Sequence, residues 1–154
     1  MDSEIEKNIR EYITKTVHLS LATVRENKPW VCEVHFGFDD ELNLYFCSKP
    51  STRHCVELND NKYVAGDIVV QHGLSESPHG VYFEGSAEKI DAPTDAEIHA
   101  YAGRLGRNET DLKTQLYDEK THCLYKITVS NWAIFGKFGL DSNMKHELSW
   151  GEKV

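Results

Sequence analysis

Residues 48–54 combine hydroxyl groups and positive charges in one short segment, which contains Ser48, Lys49, Ser51, Thr52, Arg53 and His54. The segment begins at the end of the strand predicted over 42–48 and contains the start of a short helix predicted over 51–60. Backbone N–H groups at a helix start lack intrahelical partners, so this position suits an anion such as a phosphate. Ser and Thr are also ordinary N-cap residues, so a well-capped helix on a solvated turn is the alternative interpretation.

The predicted strand over 30–38 carries a second set of polar residues. Side chains alternate along a strand, so its apolar residues from Cys32 to Phe38 point one way, whereas Glu33 and His35 point the other. This polar pair fits a solvated face, a subunit interface or contacts to a ligand lying on the sheet. Gly37 permits close approach of another backbone or of a flat ring, and a β-bulge would explain it equally well.

Other kinds of chemistry find little support in the sequence. The eight histidines show none of the HxxxH, HxH or HExxH spacings that bring metal ligands together, so we predict no metal site. GxSxG, P-loop and GxGxxG motifs are also missing, which argues against acyl transfer and nucleotide chemistry. Trp132 belongs to an aromatic C-terminal segment that suits either core and dimer contacts or the lining of a flat conjugated cofactor.

Composition sets the class of protein. With 154 residues, 40% hydrophobic and 27% charged, the sequence is typical of one soluble globular domain spanning 1–154. The net charge of −8 and the lack of a basic stripe argue against nucleic acid as a partner. No apolar run has the length of a membrane span, the N-terminus is charged, and the four cysteines show no CxxC pairing. We therefore expect a cytoplasmic protein with free thiols and no membrane contact.

Hydrophobic periodicity predicts a mainly β, α+β protein. One helical face in residues 3–16 is formed by Ile5, Ile9, Tyr12 and Ile13. Strands are predicted at 17–24, 30–38, 42–48, 62–71, 79–91, 122–129 and 131–139, with further helices at 94–106 and 109–117. The first three strands should form an antiparallel meander. Because helices do not alternate with strands, an antiparallel barrel with peripheral helices fits better than a parallel sheet.

The segments LSLATV, KPWVCEVHFGFDDELNLYFCS, KPSTRH, YVAGDIV, GVYFEGSAEKI and LYKITVSNWAIF, in this order, resemble the pyridoxamine 5′-phosphate oxidase-like FMN-binding split-barrel superfamily. The motifs TRH, VAG, GVYFEG and FGKFGLDSNMKHELSW are most similar to a small bacterial family of short split-barrel proteins. The resemblance implies a six-to-seven-stranded split barrel, a homodimer, and FMN bound between the subunits. It also implies contacts from the phosphate to Cys47, Ser48, Ser51, Thr52 and Arg53, and from the isoalloxazine to Glu33, Val34 and His35.

The sequence also departs from that superfamily. Val31 and Phe36 stand where the true oxidase offers basic residues to the phosphate, and Met144 replaces the arginine of its C-terminal Arg-x-His pair. We therefore expect no oxidation of pyridoxamine phosphate. The remaining predictions are an FMN-dependent oxidoreductase acting on an unidentified small molecule, a module that binds flavin, deazaflavin or haem without turnover, or a dimeric scaffold with an empty groove.

Overall fold

The structure is a computed structural model that describes residues 2–136 and 145–149. Its helices are α1 (Asp2–Ile13), α2 (Arg53–Asp60), α3 (Asp95–Ala102) and α4 (Glu109–Lys113), the last continuing into a π-helical turn at Thr114–Asp118. Its strands are β1 (His18–Arg25), β2 (Lys28–His35), β3 (Gly37–Phe38), β4 (Leu44–Ser48), β5 (Tyr63–Ile68), β6 (Gly80–Lys89), β7 (Cys123–Phe135) and β8 (Lys145–Ser149). None of the helices in this part of the chain is long and apolar enough to cross a membrane.

All strand pairs are antiparallel, and the sheet runs in the order β2-β1-β5-β6-β7-β4-β3, with β8 paired to β7. The strands β2 and β3 are consecutive in sequence but lie at opposite ends of this order. The chain bends between them at Phe36, whose N–H donates to the Val17 carbonyl at 3.0 Å. The sheet is therefore curled, which confirms the predicted α+β split barrel.

Several predicted elements have different boundaries in the structure. The single strand predicted over 30–38 is wrong, because the bend at Phe36 divides it into β2 and β3. The two strands predicted over 122–139 are instead one strand, β7, and residues 137–139 lie outside the described residues. The pairing of β6 with β7 shifts its register between Glu84 and Gly85, so Ser130 is an extra residue on the β7 side. The sequence analysis did not predict β8.

Two hydrophobic clusters lie on opposite sides of the sheet. The apolar face predicted for α1 is buried, as the exposed fractions of Ile5, Ile9, Tyr12 and Ile13 do not exceed 3%. These residues belong to the larger cluster together with Leu44 and Phe46 of β4, whereas Tyr45 between them belongs to the smaller cluster. The rest of the smaller cluster comes from α3, α4 and Leu124 of β7, so the two helices cover the outer side of β4 and the beginning of β7.

Gly37 lies directly against the backbone of α3. A Cβ atom at this position would lie 1.9 Å from the carbonyl oxygen of Ala100 and 2.6 Å from the Cα of Tyr101. Both neighbours are helix backbone, which cannot rotate away as a side chain can. Of the roles considered for this glycine, close approach of another backbone is the one that the structure shows.

We predict that Gly37→Ala lowers the free energy of unfolding by about 3 kcal/mol, because the added methyl group forces α3 away from β3. The measurement is the urea unfolding midpoint and slope. Gly73→Ala is the matched control: its Cβ would meet only the Glu76 carboxylate oxygen, at 3.8 Å, and we expect a change below about 0.5 kcal/mol. Equal effects of the two substitutions would contradict this account of Gly37.

Candidate functional site

The first turn of α2 is not capped by the side chain that precedes it. Thr52 occupies the N-cap position but makes no side-chain cap hydrogen bond. Its hydroxyl instead donates to the Lys49 carbonyl oxygen at 2.9 Å, which closes the preceding turn. The alternative of a helix capped by the Thr52 side chain is therefore not what the structure shows, and the first-turn N–H groups keep their capacity to bind an anion.

The His54 ring links the hydroxyl groups of Ser48 and Thr52. Its Nε2 lies 2.8 Å from Ser48 Oγ and 3.3 Å from Thr52 Oγ1. Burial lowers the pKa of His54 below its usual 6.5, and the nearby Glu57 carboxylate opposes this shift. A neutral imidazole at pH 7 can orient the hydroxyl groups but adds no charge to the site.

Arg53 is partly committed to the fold. Its Nε donates to Glu57 Oε1 at 2.9 Å, and its guanidinium lies 4.0 Å from the ring centre of Trp30. Glu57 is buried and also accepts a 2.6 Å hydrogen bond from Thr23. The hydrogen bonds from Thr23 and Arg53 lower the pKa of Glu57. Half of the Arg53 side chain remains exposed, so the same residue has surface available for a ligand.

The remaining residues predicted for the phosphate end are divided between two sides of the sheet. Lys49 and Ser51 are exposed beside the uncapped turn. Cys47 packs against the smaller cluster, on the side opposite to Phe46, and so faces away from the side on which His54 packs. Ser48, Thr52, Arg53 and His54 therefore lie together, as their sequence spacing predicts, whereas Cys47 lies on the other side of the sheet.

Val34, predicted to contact the isoalloxazine, and Trp132, for which a core contact and a cofactor lining were both left open, have inward-facing side chains. Val34 is only 8% exposed and belongs to the larger core cluster. Trp132 has no exposed surface, and its ring packs 5.8 Å from that of Phe83. A ligand on the outer face would not contact either side chain in this conformation, because both are covered by the sheet itself.

Glu33 and His35 are exposed on the outer face of β2, as their alternation predicts. Glu33 accepts a hydrogen bond from the Ser20 hydroxyl on the neighbouring strand. The His35 ring packs 4.6 Å from that of His18, and its Nδ1 lies 2.7 Å from Nη2 of Arg107. Arginine only donates, so His35 Nδ1 accepts. Burial, with His18 and Arg107 nearby, lowers the pKa of His35 and keeps the ring neutral.

Arg107 is a residue that the sequence analysis missed. It follows Gly106, which has a positive φ of 64°, in the turn between α3 and α4. Besides His35, it contacts Tyr101 through a 2.7 Å hydrogen bond from Nη1 to the phenol oxygen. Nothing in the local sequence signals these contacts, because His35 is 72 positions away.

The same part of the outer surface contains Cys47, whose reactivity is low. Burial raises the pKa of the Cys47 thiol to about 12. A thiol with such a pKa is protonated at neutral pH and is a poor nucleophile. Among the residues that the structure describes, no three His, Cys, Asp or Glu side chains converge as metal ligands.

The family model for pyridoxamine 5′-phosphate oxidase matches residues 5–135. The chain belongs to this family. The match includes β1 to β7, and therefore both the uncapped turn and the outer face of β2. No curated protein matches the sequence significantly.

Solved structures show how widely this family fold is distributed. A protein related to general stress protein 26, from Clostridium acetobutylicum, has a TM-score of 0.70 at 12% identity, with 97% of each chain covered. A haem-binding protein from Mycobacterium smegmatis has a TM-score of 0.70 at 19% identity; the match covers 92% of this chain but only 56% of that one. An FAD-binding protein from Mesorhizobium loti has a TM-score of 0.59 at 20% identity, covering 82% and 89% of the two chains. At these identities the likeness establishes the fold.

We predict that lowering the pH from about 7.5 to about 5.5 destabilises the wild-type protein more than the His54→Gln variant. The pKa of His54 is lower in the folded than in the unfolded state. The unfolded chain therefore takes up the proton first, and stability declines as the pH falls below the unfolded pKa. Urea unfolding at a series of pH values measures this, and parallel profiles for the two proteins would contradict the assignment.

Proposed function

We propose that this protein binds FMN, with the phosphate at the uncapped first turn of α2 and the isoalloxazine on the outer face of β2 near Glu33 and His35. The observation that carries the proposal is the first turn of α2, which receives no side-chain cap from Thr52 and contains Arg53 and His54, with Ser48 hydrogen-bonded to His54. Membership in the pyridoxamine 5′-phosphate oxidase family supports it, since flavin binding is common there.

The two ends of the proposed site lie along one strand. Arg53 contacts Trp30 on β2, and His35 is five residues further along it, at a distance of roughly 16 Å in an extended strand. In the described residues β2 pairs only with β1, so backbone groups on its other edge are available to a polar ring. The edge position also lets a ligand pass from the α2 side of the strand to its outer face.

The donor set fits a phosphate of modest affinity. Backbone N–H groups, the Ser48 hydroxyl and the Arg53 guanidinium are suitable donors. Glu57, however, neutralises part of the Arg53 charge. The resemblance implies basic residues at positions 31 and 36, and neither residue is basic. Phe36 is fully buried, and Val31 is an exposed apolar side chain.

We propose that the protein is an oxidoreductase acting on a small molecule. Bound FMN supplies hydride or electron transfer, and the chain's own residues bind and orient the reactants. His35 is held neutral with Nδ1 as an acceptor, so its Nε2 carries a proton that can be donated to a ligand on the outer face. We assign no acid or base role beyond that hydrogen bond. The protein's free thiols suit the reducing cytoplasm, where we place it.

A second candidate is a binding module that holds a flavin, a deazaflavin or haem without turnover. The observation that favours it is the exposed imidazole of His18, which packs on the outer face against the ring of His35. His35 itself cannot coordinate iron in this arrangement, because its Nδ1 accepts from Arg107 and its Nε2 carries the proton. A neutral imidazole is a common axial ligand of haem iron. The absorption spectrum of the purified protein, with mass spectrometry of any copurifying chromophore, distinguishes flavin, haem and an empty groove.

We also propose that the open outer face is the interface of a homodimer. Its exposed apolar residues include Val31 and Tyr82, which are 58% and 40% exposed, and Ala65. By register, Val31 faces Ala22, and Ala22 faces Ala65, so these small side chains form a row across three strands. A second subunit placed on this row would cover the apolar surface and enclose the proposed flavin site.

We predict that Arg53→Gln weakens FMN binding by about 1.5–3 kcal/mol, because it removes a charge-assisted contact to the phosphate. The measurement is fluorescence titration of the cofactor-free protein with FMN and, separately, with riboflavin, which has no phosphate. Riboflavin affinity should be unchanged.

Comparing two ligands on the same variant separates this effect from the structural role of Arg53 beside Glu57. A loss of stability would weaken both ligands equally, and that result would show that Arg53 does not bind the phosphate. Arg25→Gln is the matched control, because it removes an arginine that is paired with Asp60 at 2.8 Å and lies outside the uncapped turn.

We predict that Val31→Glu converts the dimer to a monomer, because it places a charge in the apolar row of both subunits. Light scattering coupled to gel filtration measures the mass. Val56→Glu is the matched control, since Val56 is 38% exposed on α2, away from the outer face. A wild-type protein of monomer mass at micromolar concentration would exclude the proposed interface.

A further inference from the structure

We propose that Arg107 binds the carboxylate of a small organic acid in the cavity between β4, α4 and the beginning of β7. The placement of that acid beside a flavin rests on the proposed function; the binding of the acid itself does not. Carboxylic acids are thus the substrate class for the site on the outer face.

Within residues 2–136 and 145–149, no carboxylate forms an ion pair with Arg107. Among the described residues, Arg10, Arg25 and Arg53 each pair with a carboxylate within 3 Å. Arg104 is surrounded by backbone carbonyls. Arg107 instead contacts one phenol and one neutral imidazole, at 2.7 Å each.

Those two contacts fix the guanidinium while leaving donors available. Tyr101 and His35 each occupy one N–H of the five that an arginine carries. The ring of Tyr101 also lies 5.4 Å below the guanidinium carbon. A guanidinium held in this way is suited to donate two parallel hydrogen bonds to a carboxylate, an interaction that needs correct orientation as well as charge.

A cavity of about 430 Å³ opens beside Arg107, and its lining includes Cys47, Asp111, Leu112, Gln115 and His122. This volume lies in the usual range for small-molecule sites. Leu112 and the protonated Cys47 provide apolar surface for the body of a ligand. Asp111 is the only acidic residue in the lining, and its charge must weaken the binding of any anion.

The location of Arg107 connects this cavity to the outer face of β2. The residue lines the cavity and also hydrogen-bonds His35, next to the position proposed for the isoalloxazine. An acid held by Arg107 would thus lie next to the position proposed for the flavin. Orientation of this kind is the contribution that the protein makes to cofactor chemistry.

The test is calorimetric titration of the cofactor-free, 154-residue protein with benzoate, and with benzamide as the uncharged analogue. We expect a millimolar Kd for benzoate and no measurable binding of benzamide. Arg107→Gln should weaken benzoate binding at least about tenfold, whereas Arg25→Gln should leave it unchanged. Asp111→Asn should tighten it by about threefold at low salt, because it removes the repelling charge. A gain of affinity cannot result from misfolding.

Three results would overturn the proposal: no binding of benzoate, equal binding of benzamide, or equal affinity of wild type and Arg107→Gln for benzoate. FMN titration of the same wild-type sample tests the proposed function independently. Benzoate binding without FMN binding would refute the flavin site alone. With both bound, we expect benzoate to shift the visible absorption of the flavin in wild type but not in Arg107→Gln.

Discussion

The bend at Phe36 is the constraint on which the rest of the structure depends. It directs one half of the segment 28–38 to β1 and the other half to β4, and so closes the sheet into a curled barrel. Arg104 holds this bend by donating to the carbonyls of Phe36, Ile13 and Thr16, at 2.6–3.3 Å. Its guanidinium also lies 4.8 Å from the centre of the Phe36 ring. Burial lowers the pKa of Arg104, so these carbonyls compensate a charge that has been removed from water.

The same clamp determines where the candidate site lies. Arg104 is in the turn that follows α3, and Gly37 lets the backbone of α3 rest directly on the sheet. Three residues further along, Arg107 reaches His35, the last residue of β2 before the bend. The bend at Phe36 and the contact between Arg107 and His35 are thus both fixed by α3 and the turn that follows it, packed against the segment 28–38.

The outer surface of the sheet consists of a covered and an open part. The helices α3 and α4 cover β4 and the beginning of β7, whereas β2, β1 and β5 expose a row of small and apolar side chains. Arg107 lies at the boundary between them. At the other end of β2, Arg53 pairs with the buried Glu57 and is the first residue of the uncapped turn of α2. The pairing with Glu57 reduces the charge that Arg53 offers to the proposed phosphate.

The sequence by itself determined the features that depend on near neighbours. The apolar face of α1, the alternation along β2 and the grouping of Ser48, Thr52, Arg53 and His54 follow from the helical or strand period, because these residues are close in the chain. The tertiary structure decided which side of the sheet Cys47 faces, the burial of Trp132, the pairing of β8 with β7, and the contact between His35 and Arg107. These depend on packing between segments far apart in sequence, where local periodicity carries no information on register or partner.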